Sequence, residues 1–517
     1  MLSRLAQINF GRLHDFDLLA RMFVIVFAVH SILLTSTTWR PTWDEMNYLH
    51  RAVCVNRTLF EWDWRGVHGC MLGLYKSPVL MLLLLPFGQI GDNIGLIRVA
   101  PFTLAIFNFS LLLVIGFMTW RLRVPLAVVL VAAIAMAGNP LTHVVGGAVL
   151  IDTSVSLVVT IAVLLFAFEI SSKVVSGKSA AGRGVFWGMV GTAGVMSKMT
   201  FGFFAILLFV PLAVIVWHRE GSRYAAVRMF CCFSVSIPGL IVFALYGNQY
   251  FWNALRSSIG PLAEANADNL TLWEYTVGQF TGSGLGGLIL LLMAAAAIAT
   301  TLRRRAVDWT VLYLLLVLIA YFWLVSSTVN RQVRFLLPFW LAMPWCLALV
   351  MRGPAGANPR GAPVRDFALA GLVSVFLALP SLKNYDLSSI ELSRSVLRTI
   401  PADQSASVMT ATDSPDFNIE SLLLAYELDR RRFPARLFID TLVYDGVNGR
   451  TLEQSLARLR GADVVLFRIP LDPAMAAYWP NARYEEFLQI AEAEGREIAV
   501  VGPAPSAHVY VMPRQPR

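Results

Sequence analysis

The sequence predicts a polytopic α-helical membrane protein of about 11 transmembrane helices, followed by a C-terminal soluble α/β domain. Three observations carry that reading. First, 57% of the 517 residues are hydrophobic and only 15% charged, with a mean hydropathy of +0.62, whereas ordinary soluble domains carry about 25% charge. Second, apolar stretches recur through residues 1–383 at lengths close to the roughly 20 residues that cross ~30 Å of hydrocarbon. Third, beyond Pro380 the pattern turns to alternating strand and helix. A soluble globular chain, a disordered chain and collagen do not fit this balance. Five cysteines in 517 residues are too sparse for a disulfide-rich secreted module.

The spans fall near 18–36, 96–119, 124–142, 148–170, 184–200, 202–217, 229–247, 284–302, 309–326, 335–351 and 367–381. The stretch 77–90 is short, opens with Ser77-Pro78 and contains Pro86, so it fits a span, a re-entrant segment or an interfacial helix. Basic residues concentrate in cytoplasmic loops, and that rule chooses among these. With 77–90 not spanning, the cytoplasmic side receives Arg4 and Arg12; Arg121 and Arg123; Lys173, Lys178 and Arg183; Arg219, Arg223 and Arg228; Arg303, Arg304 and Arg305; and Arg352, Arg360 and Arg365. Loop 248–283 then faces outward, with Glu264, Asp268 and Glu274 against Arg256. Were 77–90 to span, every later loop would flip. Residues 37–95 are therefore expected to form one long outer loop. The net charge of +9, from 42 Lys+Arg against 33 Asp+Glu, is explained by these loops and calls for no nucleic acid.

In the C-terminal region, strands are expected at 407–411, 436–439, 462–467, 497–501 and 509–512, with helices at 419–431, 452–460 and 485–494. An odd number of spans puts this domain outside, on the same face as loop 37–95. No internal repeat, low-complexity run or cleavable signal is visible, and the first apolar stretch is long enough to remain as an anchor.

Charges beside the bilayer cost about 2.5–3.5 kcal/mol on insertion scales, so those that persist are functional candidates. Lys198, in Met196-Ser197-Lys198-Met199, reads either as such a residue or as a lysine snorkelling at the boundary. Asp152 reads either as functional or as an N-terminal helix charge favoured by the macrodipole. Asp44 and Glu45 follow Trp43, and the three also make an ordinary helix start. What separates these residues from chance is that the topology puts them on one membrane face, with Lys76, Arg98, Arg331 and Arg334. An acidic pair faced by several cations suits chemistry on a phosphate-bearing substrate. The cations stabilise a phosphate leaving group, and a carboxylate accepts a hydroxyl proton.

The order of these residues resembles the GT-C membrane glycosyltransferases, within the branch of protein O-mannosyltransferases and lipid A aminoarabinose transferases. Asp44-Glu45 stands where that family has its acidic motif, and Lys76-Ser77-Pro78 resembles its Lys-Pro-Pro, with serine for the first proline. Arg98-Val99-Ala100-Pro101 resembles Arg-Leu-Pro-Ser, and Ser197-Lys198 resembles Thr-Lys, with Met199 for the usual glycine. Arg334-Phe335-Leu336-Leu337-Pro338 resembles Arg-Tyr-Leu-Leu-Pro. The match runs over most of residues 40–340. The resemblance implies a polyprenyl-phosphate sugar donor, attacked with inversion by an acceptor hydroxyl at the outer face. It makes Asp44 the general base and Glu45 a supporting carboxylate or metal ligand, and leaves a divalent cation open. Lys76, Lys198 and Arg334 would hold the donor phosphate, with Arg98, Arg331 and Asp152 in lesser roles. The α/β domain would cover the site or engage the acceptor, with lipid A or lipopolysaccharide the first guess by analogy.

Other signals are weaker. Gly282-Ser283-Gly284-Leu285-Gly286-Gly287 fits G-x-G-x-x-G but opens a span rather than following a strand, which argues against a dinucleotide. The seven histidines, His68 and His143 included, show no metal spacing. Asn56-Arg57-Thr58 and Asn269-Leu270-Thr271 are glycosylation sequons on the outer face. Cys54 and Cys70 fall in the oxidising outer compartment and form a disulfide candidate. Two rivals from other classes are a transporter or flippase of lipid-linked or small anionic substrates, and an assembly protein whose outer domain does the work. A transporter is expected to show inverted repeats and charges near the bilayer midplane.

Overall fold

The computed structural model describes residues 38–39, 43–71, 84, 93–139, 141–142, 151–172, 176–198, 200–258, 271–282, 284–328, 332–352, 384–400, 405–430, 433, 436–443, 445, 450–476 and 481–513. The expected spans 18–36 and 367–381 lie outside these residues, as do Lys76, Arg331 and the Arg98 side chain.

A two-residue strand β1 (Thr38–Trp39) precedes α1 (Trp43–Phe60) and α2 (Trp64–Met71). The remaining nine expected stretches are helical: α3 (Asn93–Trp120), α4 (Leu126–Ala137), α5 (Ile151–Ser171), α6 (Gly177–Ser197), α7 (Phe201–Glu220), α8 (Ser222–Ser258), α9 (Leu272–Gly282, in the expected loop), α10 (Gly284–Arg304), α11 (Trp309–Ser326) and α12 (Leu337–Val350). Among the described residues, six helical segments are long and apolar enough to cross a membrane. The chain is a multi-pass membrane protein.

Burial divides these helices. Every residue of α12 from Leu337 to Leu349 is buried, as expected for a helix apolar on all sides at the centre of a bundle. On α7, by contrast, Ile206, Val210 and Val214 repeat every four residues and are exposed, which is a lipid-facing stripe. Exposed tryptophans mark the ends of the spans, Trp120, Trp217 and Trp309 at one side and Trp273 and Trp323 at the other. Amphipathic indoles favour both membrane interfaces, so this arrangement fits alternating spans. Helices α6 and α8 approach closely through glycines: a Cβ on Gly188 would lie 2.5 Å from the Cys232 carbonyl oxygen. Small residues are how membrane helices bring their backbones together. The same reason accounts for Gly286, because a Cβ there would meet the Gly138 backbone at 2.6 Å where α10 crosses the end of α4.

One set of expected loop charges is placed differently. Glu169, near the end of α5, is buried and accepts from Arg183 Nη1 at 2.7 Å, Trp187 Nε1 at 3.3 Å and Arg228 Nη1 at 3.0 Å. Arg228 also reaches Glu220 at 2.8 Å, and Arg219 donates to the carbonyls of Glu169, Ile170 and Ser172 at 2.6–2.7 Å. Three arginines expected in cytoplasmic loops are thus consumed in tying the ends of α5 to α8 together. Burial explains the difference, because a charge out of water must be paired.

The C-terminal region opens with β2 (Asn384–Tyr385), parallel to β1, and α13 (Ser388–Thr399). A five-stranded sheet follows in the order β4-β3-β5-β7-β6. It contains β3 (Ala406–Thr410), β4 (Leu437–Thr441), β5 (Val464–Ile469), β6 (Arg496–Val501) and β7 (Ser506–Val511), interleaved with α14 (Ile419–Leu428), α15 (Leu452–Arg460) and α16 (Tyr484–Glu494). Strands β4, β3 and β5 are parallel, and β7 and β6 extend the sheet antiparallel. Alternate residues of β5 enter two cores. Val465 and Phe467 pack with α15 and α16, whereas Val464 and Leu466 join a core with α13, α14, α1 and α2. Leu84, from the 77–90 stretch, is buried in that second core as well.

Candidate active site

The site grows from helix ends. Trp43 starts α1 and places Asp44 and Glu45 in its first turn, as the local sequence predicts. Asp152 lies in the first turn of α5, and Lys198 ends α6 as its C-cap in extended conformation. Arg334 is carried on the 3-10 turn Val333–Leu336, which leads into α12. Four of them, Asp44, Asp152, Lys198 and Arg334, meet in one cluster. Arg334 Nη1 donates to Asp44 Oδ2 at 2.8 Å, and its Nε lies 3.7 Å from Asp152 Oδ2. Lys198 is ion-paired with Asp152 Oδ1. Its ammonium also stands 4.1 Å from the centroid of the Phe335 ring. Two carboxylates and two cations balance, and the burial is graded. The Asp152 side chain is 2% exposed, Lys198 16%, Asp44 27% and Arg334 30%, so the Asp44–Arg334 side faces outward.

The snorkelling reading of Lys198 gives way here. Lys198 does not snorkel, because its ammonium is held by Asp152 and the Phe335 ring rather than by water. Asp152 does sit in the first turn of α5, where the macrodipole favours a negative charge, and is in addition buried and paired with Lys198. Glu45 is fully buried and presents no surface to an incoming hydroxyl. Lys76, Arg331 and the Arg98 side chain fall outside the described residues.

Of the residues that brace the Arg334 turn, the sequence motif includes Phe335 but not Gln332, Tyr275 or Tyr321. Gln332 Oε1 accepts from Arg334 Nε at 2.8 Å, and the Gln332 carbonyl accepts from Tyr275 at 3.1 Å. Tyr321 donates to the Phe335 carbonyl at 2.9 Å. For Gln332 and Phe335 a signal existed, since both lie within two positions of Arg334; for Tyr275 and Tyr321, distant in sequence and apolar in surroundings, there was none. Among the described residues no group of three or more His, Cys, Asp or Glu could hold a metal.

Helix α1 continues from this cluster onto the C-terminal sheet. Asn47 Nδ2 donates to Glu420 Oε1 at 2.7 Å, and Arg57 pairs with Glu427. These contacts make α1 and α14 run side by side in the same direction. The first turn of α14, and with it the β3–α14 loop at 411–418, is therefore level with Asp44. That loop is braced: Asn418 and Ser421 form a capping box, Asn481 bonds both backbone groups of Asp413, and Asp416 pairs with Arg468 at 2.6 Å. Burial acts to raise the Asp416 carboxyl, but the bonds from Arg468 and Ser414 outweigh it and hold the pKa low. Cys54 and Cys70 are joined in a disulfide, and Arg51 Nη1 bonds the Cys70 carbonyl at 2.8 Å, so α2 is fastened to α1. Asn56 and Thr58 are both buried, and Thr58 donates to the Cys54 carbonyl, so the first sequon offers no accessible acceptor in the folded chain. The second lies mostly outside the described residues.

No family model matches the sequence, and no curated protein matches it. Solved structures do. ArnT from Cupriavidus metallidurans in the apo state aligns with a TM-score of 0.56 at 11% identity, covering 98% of this chain and 100% of that one. The same protein bound to undecaprenyl phosphate aligns with a TM-score of 0.55 at 11% identity, covering 98% of this chain and 99% of that one. The arabinofuranosyltransferase AftD from Mycobacteria aligns with a TM-score of 0.50 at 14% identity, covering 96% of this chain but 40% of that longer one. At these identities the likeness concerns the fold alone: the chain is folded like ArnT along its whole length and like part of AftD.

Proposed function

We propose that this protein transfers a sugar from a polyprenyl-phosphate donor to an acceptor hydroxyl, at the outer face of the cytoplasmic membrane and with inversion. The observation that carries this is the four-residue cluster of Asp44, Arg334, Asp152 and Lys198 at one end of the bundle. The GT-C fold and the undecaprenyl phosphate bound by ArnT support the donor class. Lys76, Lys198 and Arg334 bind the donor phosphate, as the resemblance implies, with Arg98 and Arg331 in lesser roles. The acceptor oxygen attacks the anomeric carbon from the face opposite the phosphate. The bond from that carbon to the phosphate oxygen breaks, its electron pair leaves with polyprenyl phosphate, and the hydroxyl proton passes to Asp44. The leaving oxyanion needs no acid because these cations already stabilise it.

In this reading residues 1–383 are the membrane domain with 11 spans, and residues 37–95 and 384–517 lie outside. The acceptor, a glycan, glycolipid or protein, enters between the membrane domain and the loop at 411–418. A transporter gains no support from the cluster, which lies at one end of α5 rather than midway along it. The test is transfer of radiolabelled sugar from a polyprenyl-phosphate lipid fraction by purified protein. Labelled product supports the proposal, and movement of intact lipid without bond cleavage would refute it.

A further inference from the structure

An exposed apolar feature lies away from the cluster, at the far end of α1. No residue of that helix from Asp44 to Leu59 is exposed, and the chain first meets its surroundings at Phe60. Three large aromatics stand out there: Phe60 is 69% exposed, Trp62 78% and Trp64 64%. The turn that shows them is braced. Asp63 accepts from the Gly66 N–H at 2.9 Å, its own N–H bonds the Thr58 carbonyl at 2.9 Å, and the disulfide between Cys54 and Cys70 joins the two helices behind it. Trp62 takes a φ of 54°, a left-handed conformation that strains a bulky side chain. Apolar patches kept exposed at such a cost mark surfaces that meet something.

The charges beside the turn say what it meets. Four arginines fall among residues 430–436, where α14 leads into β4. On a face proposed to lie outside, this run departs from the charge rule that places the other basic loops. Arg57 takes Glu427, but among the described residues Arg430 and Arg436 form no ion pair. They stand instead over the rings of Tyr426 at 4.6 Å and Phe438 at 5.0 Å. Burial, with the charges of Arg57 and Arg436, holds the Arg430 pKa below its ordinary value, and Glu61 offsets only part of this. Arginines crowded in this way favour an anionic partner. Because Glu61 is one of the groups that act on Arg430, the aromatic turn and the arginines adjoin.

We propose that the turn at 60–64 and the arginines Arg430 and Arg436 dock this region on the bilayer, with the aromatics among the headgroups and the arginines against the phosphates of anionic phospholipid. The chain is multi-pass, so a lipid surface is always within reach. Helix α1 starts at the span ends, where Asp44 meets Arg334. A helix that begins there and stays enclosed opens at the rim of the membrane domain, where indoles and guanidiniums both settle. Phe60 lies about 24 Å from Asp44 along α1. The patch is therefore no part of the catalytic cluster, and it stands or falls apart from the transfer chemistry proposed above. Docking holds α1, and with it the acidic turn, at a fixed height over the spans.

The test places the full-length protein in nanodiscs of phosphatidylglycerol, with plain or brominated acyl chains, and in matching discs of phosphatidylcholine. Trp62→Phe/Trp64→Phe keeps both rings aromatic and serves as the blank, so that subtracting its emission from wild type isolates the two indoles. That difference emission should be shifted to the blue of tryptophan in water and quenched by brominated phosphatidylglycerol. Quenching should fall in phosphatidylcholine and in Arg430→Gln/Arg436→Gln, because each arginine near an anionic surface is worth about a fivefold change in the docked-to-undocked ratio. Difference emission that is water-like and unquenched in every disc overturns the proposal, and this readout comes from the wild-type fold alone. Equal quenching in both lipids and in the arginine variant overturns it too, since the charges would then do nothing. A blue shift that appears only on adding lipopolysaccharide would assign the patch to an acceptor and likewise overturn it.

Discussion

At the residue scale, the side chains that matter were those whose position the sequence could not excuse. Asp44, Asp152, Lys198 and Arg334 are legible in the sequence because charged residues at span ends are expensive and because their neighbours resemble known motifs. Their pairing is not legible: nothing in the local sequence says that Arg334 chooses Asp44. The pairing leads to a split between variants. Lys198→Ala should weaken undecaprenyl phosphate binding and also destabilise the bundle, since Asp152, 2% exposed, loses its partner. His50 gives a second residue-scale prediction. It is buried on α1, and burial with the nearby Arg51 and Arg57 lowers its pKa from 6.5 to about 3. The unfolded chain therefore binds a proton below about 6.5 that the folded chain refuses until about 3, so stability falls as pH drops through that window. Thermal unfolding followed from pH 7 to 4.5 should show a shallower loss for His50→Leu than for wild type. Parallel slopes would mean that His50 is not the group responsible.

At the element scale, spans and helix starts follow from local sequence, while contacts between distant elements do not. The strands expected at 407–411 and 462–467 fall within a residue or two of β3 and β5, and the helix expected at 452–460 coincides with α15. Long apolar runs and alternating patterns are physical signals that survive without tertiary context. The union of α1 with α14 carries no such signal, because it joins residues more than 370 positions apart. The Glu169 network escaped for a related reason. Its arginines satisfy the positive-inside rule equally well whether solvated or buried. Glu169→Gln leaves Arg183 and Arg228 with a neutral acceptor, and breaking a buried pair in this way costs about 3–5 kcal/mol. The protein in detergent should lose thermal stability accordingly, with undecaprenyl phosphate affinity little changed in the fraction that remains folded, because Asp152 and Glu169 stand about 25 Å apart along α5. Unchanged stability would show the network to be incidental.

At the scale of the whole molecule, two ends of one bundle do different work. One end is fastened by buried ion pairs, and the other holds the charged cluster beneath a sheet that shares a core with α1. That shared core ties the acidic turn to the C-terminal region, so α1 and the sheet are expected to unfold together. The arrangement also puts α1 and the sheet on the same side of the membrane, which we propose is the outer one. A reporter active only in the cytoplasm, fused after Arg517, should be silent. Alkylation of non-reduced protein should likewise leave Cys54 and Cys70 unlabelled until reductant is added. Free thiols there, or a cytoplasmic signal, would place this face on the wrong side.

The most direct test of the proposed chemistry compares wild type with Asp44→Asn on the same preparation, with donor binding and sugar transfer measured side by side. The substitution keeps the shape of the side chain and removes the proton acceptor, and general base catalysis is typically worth about 10²–10⁴-fold. Transfer should fall by that order while the variant still binds undecaprenyl phosphate. Transfer at the wild-type rate by Asp44→Asn would contradict the account.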